Sequence, residues 1–127
     1  MSDADQLAEE IAWVRAMAAG DQSALGSLYD RYAPILMGIG LRIVRDRQEV
    51  EDIVHDVFVE AWKSARDFDP SRGKVRTWLA VRMRSRCLDR QKSARVRLSR
   101  GDEALTFVAE ESDGMGSEAR RDAKKVI

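Results

Sequence analysis

The sequence predicts an all-α protein, a compact bundle of four to five helices with a flexible C-terminal tail. Three observations carry that expectation. Apolar residues recur at three- and four-residue spacing through most of the first 94 positions. Gly, Pro and Asp stand at the junctions between these stretches, where helix ends favour them. Sustained alternation of β-branched and polar residues, the mark of a half-buried strand, is missing.

Each helix follows from its own residues. The first is expected over residues 4–19, with Leu7, Ile11, Val14 and Ala18 as one apolar stripe. Gly20 ends it, as a glycine just past a helix commonly does. Asp21 caps a short second helix, with Ala24, Leu25, Leu28, Tyr29 and Tyr32 facing inward. Pro34 opens a third helix, since a proline in the first turn loses no hydrogen bond. This third helix holds Ile35, Leu36, Ile39, Ile43 and Val44 and is expected to be central. A fourth helix runs over residues 49–65, burying Val50, Ile53, Val54, Val57, Phe58, Ala61 and Trp62. Its outer face carries Glu49, Glu51, Asp52, His55, Asp56 and Glu60. The loop "RDFDPSRG" breaks the pattern at Pro70 and Gly73. A fifth helix covers residues 74–94, with Val75, Trp78, Leu79, Met83 and Leu88 inward. Past Arg100 the apolar period fades into Gly, Ser and acidic residues, which reads as a linker or tail. Ser117 is placed to cap a last short helix there. Residues 1–97 are thus expected to form one helical domain and 98–127 a linker.

Charge is segregated along this chain. The formal net charge is zero. Residues 1–71 hold 7 basic and 14 acidic side chains, net −7. Residues 72–100 hold 11 basic side chains and one acid, Asp89, net +10. Residues 101–127 return to net −3. Eleven like charges on one segment repel unless acids or a polyanion lie alongside. Arg outnumbers Lys by nine to two in that segment, which suits bidentate phosphate and base-edge contacts. Counterion release would make such binding salt-dependent. Trp78 and Phe68 stand beside the basic helix, either as core anchors or as stacking partners for unpaired bases.

Other classes find little support. Cys87 is the single cysteine, so no intrachain disulfide is possible; a reducing compartment is implied, and packing is its expected role. The acidic N-terminus has no apolar signal core, and no run approaches the roughly 20 apolar residues of a membrane helix. A soluble, cytoplasmic protein is expected. His55 stands without metal-binding partners. No paired-carboxylate site, nucleophile–base pair, metal cluster or Gly-rich phosphate loop is present, so neither catalysis nor a cofactor is expected. A metal-dependent nuclease using the acids of the fourth helix is the nearest enzymatic idea, but those acids lack a supporting His pair.

Four motifs in order then resemble one family. "GDQSALGSLYDRYAP" is similar to its first conserved helix. "EDIVHDVFVEAWK" resembles the acidic helix written E-D-L-V-Q-E-V-F-L-x-x-W. "FDPSRGKVRTWL" resembles F-D-P-x-R-G-x-F-R-x-W-L, and "RSRCLDRQK" resembles R-N-x-A-x-D-x-x-R. The family is the bacterial RNA polymerase sigma factors of the extracytoplasmic-function (ECF) type, in their region 2. The match covers residues 21–97.

The resemblance implies two faces. Asp52, His55, Asp56 and Glu60 would dock on the clamp helices of the largest subunit of core RNA polymerase. Positions i, i+3 and i+4 share one helix face. Arg72, Lys74, Arg76, Trp78, Arg82, Ser85, Arg86, Asp89 and Arg90 would hold the non-template strand of the promoter −10 element as it melts, with one base flipped from the stack. Ser85 stands where many relatives have Asn, and Val75 where Phe is common. Asp89 is expected either to pair with Arg86 or Arg90 along the helix or to meet a base. An anti-sigma factor is the further partner implied. A pure interaction module, with its basic helix held mainly by such a partner, is the alternative. Full-length relatives carry a second, helix-turn-helix domain (region 4), which this sequence does not show, so a region 2 fragment plus linker is the expectation.

Overall fold

The computed structural model describes residues 2–99. Four α-helices follow one another: α1 Asp3–Ala18, α2 Gln22–Ile43, α3 Arg47–Ser64 and α4 Val75–Ser99. A single 3₁₀ turn, Ala65–Asp67, ends the α3 segment. The all-α expectation is met, and no strand occurs among the described residues. The expected linker and the cap at Ser117 lie outside them.

Local chemistry sets the helix starts. The Ser2 hydroxyl accepts the Asp5 N–H at 3.2 Å. The Asp21 carboxylate accepts the Ser23 N–H at 2.9 Å and its hydroxyl at 2.6 Å. Those two bonds hold the Asp21 carboxyl below its usual range. Asp46 accepts from Gln48 and Glu49 at the start of α3. Each bond from a backbone N–H satisfies a donor that the first helical turn leaves free. Gly20 adopts φ +98° between α1 and α2, a conformation that costs glycine little.

One expected boundary disappears. The second and third helices are a single 22-residue helix, with Pro34 inside it. The proline denies the Asp30 carbonyl its usual donor and costs about 3 kcal/mol in a helix interior. Burial outweighs that cost. Leu28, Tyr32, Leu36, Gly40 and Ile43 form one unbroken buried stripe across the proline, and each fully buried large apolar side chain contributes about 1.5–3 kcal/mol.

This long helix is the hub, touching α1, α3 and α4. Gly40 marks the closest crossing. A Cβ there would lie 2.6 Å from Val50 Cγ1 on α3 and 2.7 Å from Met83 Cε on α4. Cys87 packs at the same crossing. It is fully buried, and burial pushes its thiol up to about 12. Near the end of α2, Gln91 on α4 donates to the Ile43 carbonyl at 3.1 Å, satisfying an acceptor the helix terminus leaves open.

The α1 helix is tied down by a polar cluster. Glu10, only 3% exposed, accepts the Tyr32 hydroxyl at 2.8 Å and Arg31 at 3.2 Å. Arg31 also bonds Glu9 at 2.9 Å and lies 4.6 Å from the Trp13 ring centroid, a cation–π geometry. Burial, then the bond to Glu10, raises the Tyr32 hydroxyl pKa. Tyr29, expected inward, is 42% exposed, because α2 turns its Leu28 and Tyr32 face to the core instead.

Candidate nucleic-acid interface and the acidic face beside it

The loop between α3 and α4 is shaped by its own side chains. Asp69 accepts the Ser71 N–H at 2.9 Å and the Ser71 hydroxyl at 2.7 Å. The Asp69 carbonyl accepts the Arg72 N–H at 3.0 Å. The Ser71 bonds hold the Asp69 carboxyl below the usual carboxylate range. This is an Asp-initiated turn over Pro70, of the type these residues favour. It brings Arg72 and Lys74 out into solvent, where Arg76 on the first turn of α4 joins them.

Beside these cations lies an open hollow of about 300 Å³. Phe68, Trp78, Val81, Arg72, Lys74 and Arg82 line it, together with the aspartates Asp67 and Asp69. The Phe68 and Trp78 rings sit 5.0 Å apart at 53°, and both are half-buried. Trp78 thus packs on Phe68 while keeping part of its surface exposed. The Arg82 guanidinium lies 4.8 Å from the Trp78 ring centroid and donates to the Trp78 carbonyl at 3.3 Å. An aromatic wall with cations around it can take a flat, negatively charged unit such as a nucleotide.

Arg82, Arg86 and Arg90, further along α4, pair with acids of α3. Arg86 bonds Glu60 at 3.0 Å and lies 4.0 Å from Asp56. Arg82 lies 3.6 Å from Glu60, and Arg90 bonds Glu49 at 3.0 Å. The acids of α3 and the basic side of α4 thus meet along the α3–α4 seam. Arg86 and Arg90 turn across to α3, which corrects the intrahelical pairing expected with Asp89. Ser85 is another correction: it is 6% exposed, on the packed side of α4, so its hydroxyl is not offered to a base. Asp89 is half-buried.

On α3, Asp52, His55 and Asp56 share the exposed surface, while Glu60 leans toward α4. A second, larger hollow of about 560 Å³ lies beside His55, lined by Leu25, Tyr29, Phe58, Val59 and Trp62. Tyr29 and Phe58 stack there, tilted, at 4.8 Å. The sequence reading missed this hollow. The signal was present in Val59, an apolar residue on a face otherwise made of acids. Among the described residues, no group of three His, Cys, Asp or Glu side chains is placed to hold a metal, and no helix is long and apolar enough to cross a membrane.

Comparison with known proteins places the sequence in one family. Residues 28–97 match the family model of sigma-70 region 2, which is more than half of the chain. The chain is 30% identical over 79 residues to the ECF RNA polymerase sigma factor SigK of Mycobacterium tuberculosis strain H37Ra, covering 62% of this chain and 42% of the relative. It is 32% identical over 80 residues to the protein of that name from Mycobacterium sp. strain KMS, covering 63% and 42%. The match thus spans less than half the length of these relatives. By its region 2 this chain belongs to the sigma-70 family, and the relatives it resembles are ECF sigma factors.

Proposed function

We propose that this chain is the part of a transcription initiation factor that docks on core RNA polymerase and melts promoter DNA in the cytoplasm. The observation that carries the reading is the Phe68–Trp78 hollow with Arg72, Lys74 and Arg82 in its lining; Arg76 stands exposed on the first turn of α4. Flipping a base out of a duplex costs a few kcal/mol, and stacking plus edge contacts offset that cost. The hollow supplies an aromatic surface, and the exposed cations supply phosphate contacts. Arg82, Arg86, Asp89 and Arg90 continue the path along α4. On the other side, Asp52, His55, Asp56 and Glu60 face the clamp helices of the polymerase. An anti-sigma factor would silence the protein by covering either face.

The deciding experiment is a salt titration of binding to single-stranded −10 non-template DNA. Affinity should fall linearly with the logarithm of salt concentration, and Trp78→Ala should weaken it by about 1–3 kcal/mol. Binding with no salt slope and no loss in Trp78→Ala rules the reading out.

A further inference from the structure

His55 is the one histidine in the sequence. It is exposed on α3, at the position where the motif this helix resembles has Gln. Both side chains can form hydrogen bonds. Histidine alone also changes its charge, between about pH 5 and 8.

Its surroundings are acidic on one side and apolar on the other. On α3 itself, Glu51, Asp52 and Asp56 are exposed. Glu51 pairs with Arg47 at 3.4 Å, and Asp56 lies 4.0 Å from Arg86 of α4. From α2, Asp30 and the Tyr29 hydroxyl share the 560 Å³ hollow that His55 helps to line, and both residues are exposed. Phe58, Val59 and Trp62 form the apolar side of that hollow, and among the described residues lining it there is no Lys or Arg. By charge complementarity such a face fits a basic protein surface.

We infer that a proton on His55 opposes docking at this face, which makes attachment to the protein partner pH-dependent. The inference rests on the reading above, in which α3 meets core RNA polymerase. In the free chain an imidazolium stands in water among carboxylates. In the complex it loses both kinds of support. Cations of the partner take the carboxylates, and an apolar side chain seated in the hollow excludes water, which penalises the charged form. The neutral ring escapes both penalties and still offers a hydrogen bond. The sign follows from linkage. The free chain holds the proton more readily than the complex, so docking releases it, and affinity falls as the pH drops through the titration of the histidine. One altered charge among exposed ion pairs shifts an equilibrium by about 1.4- to 5-fold.

The test is binding of the chain, carrying a label whose emission does not vary with pH, to core RNA polymerase between about pH 5.5 and 8. His55→Gln is measured at every pH, which cancels titration of the polymerase and of the carboxylates. The affinity of the unaltered chain relative to His55→Gln should fall by about two- to fivefold from the alkaline to the acidic end. His55→Lys, charged throughout, should bind more weakly than His55→Gln at every pH. Calorimetry near pH 6.5 in buffers of different ionisation enthalpy should show proton release on docking, and less of it with His55→Gln; a purely structural role would not move this readout. Circular dichroism at each pH checks that every chain is folded. A relative affinity that stays constant or rises toward low pH overturns the inference, as do equal proton release by the two chains and equal binding by His55→Lys and His55→Gln. Failure of the unaltered chain and of every variant to bind the polymerase at any pH would instead overturn the docking reading beneath it.

Discussion

The Tyr32 hydroxyl donates a 2.8 Å hydrogen bond to the buried carboxylate of Glu10. This bond joins α1 to the hub helix, and Glu10 Oε1 beside it has no partner of its own. Tyr32→Phe keeps the ring packing and deletes only the donor. The remaining carboxylate oxygen would rely on Arg31 alone. A loss of about 1–3 kcal/mol in unfolding free energy is expected by urea denaturation. An unchanged midpoint would show that the bond contributes nothing net.

Gly40 sets a second prediction. Alanine favours helix over glycine by about 1 kcal/mol. Here its Cβ would fall 2.6 Å from Val50 Cγ1 and 2.7 Å from Met83 Cε. Met83 can move its terminal methyl, but Val50 is short, β-branched and fully buried. Overpacking typically costs about 1–3 kcal/mol, so Gly40→Ala should be destabilising despite the gain in propensity. Thermal unfolding gives the sign directly.

Cys87 predicts an alkaline limit. Its thiol is raised from an ordinary value of 9.0 to about 12, first by burial, with Arg90 opposing. The folded state therefore holds this proton more tightly than the unfolded state. Its contribution to stability is complete below about pH 9 and is lost as pH rises toward 12. Cys87→Ala should lack the part of the decline that begins near pH 9. Tyr32, whose hydroxyl is also raised, adds a decline that starts nearer its ordinary value of 10.0. Denaturant midpoints of both proteins between neutral and strongly alkaline pH separate the two.

The acidic face is tested at Asp52, which is exposed on the same helix as His55. Reversing Asp56 would also set a cation against Arg86, 4.0 Å away, and confuse docking with folding. Asp52→Arg alone avoids this. Pull-down of core RNA polymerase should be lost in Asp52→Arg, with thermal stability within about 0.5 kcal/mol of the unaltered protein, as for most surface changes. Retained pull-down would remove α3 from the docking surface.

Much of this bundle was legible because its causes are local. Asp21 and Gly20 declare a helix start and stop by chemistry confined to a few residues. The inner face of α3 follows from spacing alone, and all six residues expected there from Val50 to Ala61 are buried. Pro34 misled because its local penalty is real but smaller than the burial on either side of it. Tyr29 misled because an aromatic residue at helical spacing fits either flank of a stripe. The charge segregation was visible, but its resolution into pairs was not: Arg86 and Glu60 are 26 residues apart, and Arg90 and Glu49 are 41 apart. No periodicity within one helix reports which neighbour will lie against it. Ser85 shows the converse hazard, since its position in a motif indicated a role that the roll of α4 in the bundle does not support.

The turn at Asp69 has an evolutionary consequence. Its three hydrogen bonds begin and end within residues 69–72, so its shape owes little to distant parts of the chain. Arg72 and Lys74 are exposed just at and beyond it, and Arg76 is exposed on the first turn of α4. Selection can therefore retune what this edge of the protein prefers one residue at a time, without the bundle having to find a new packing.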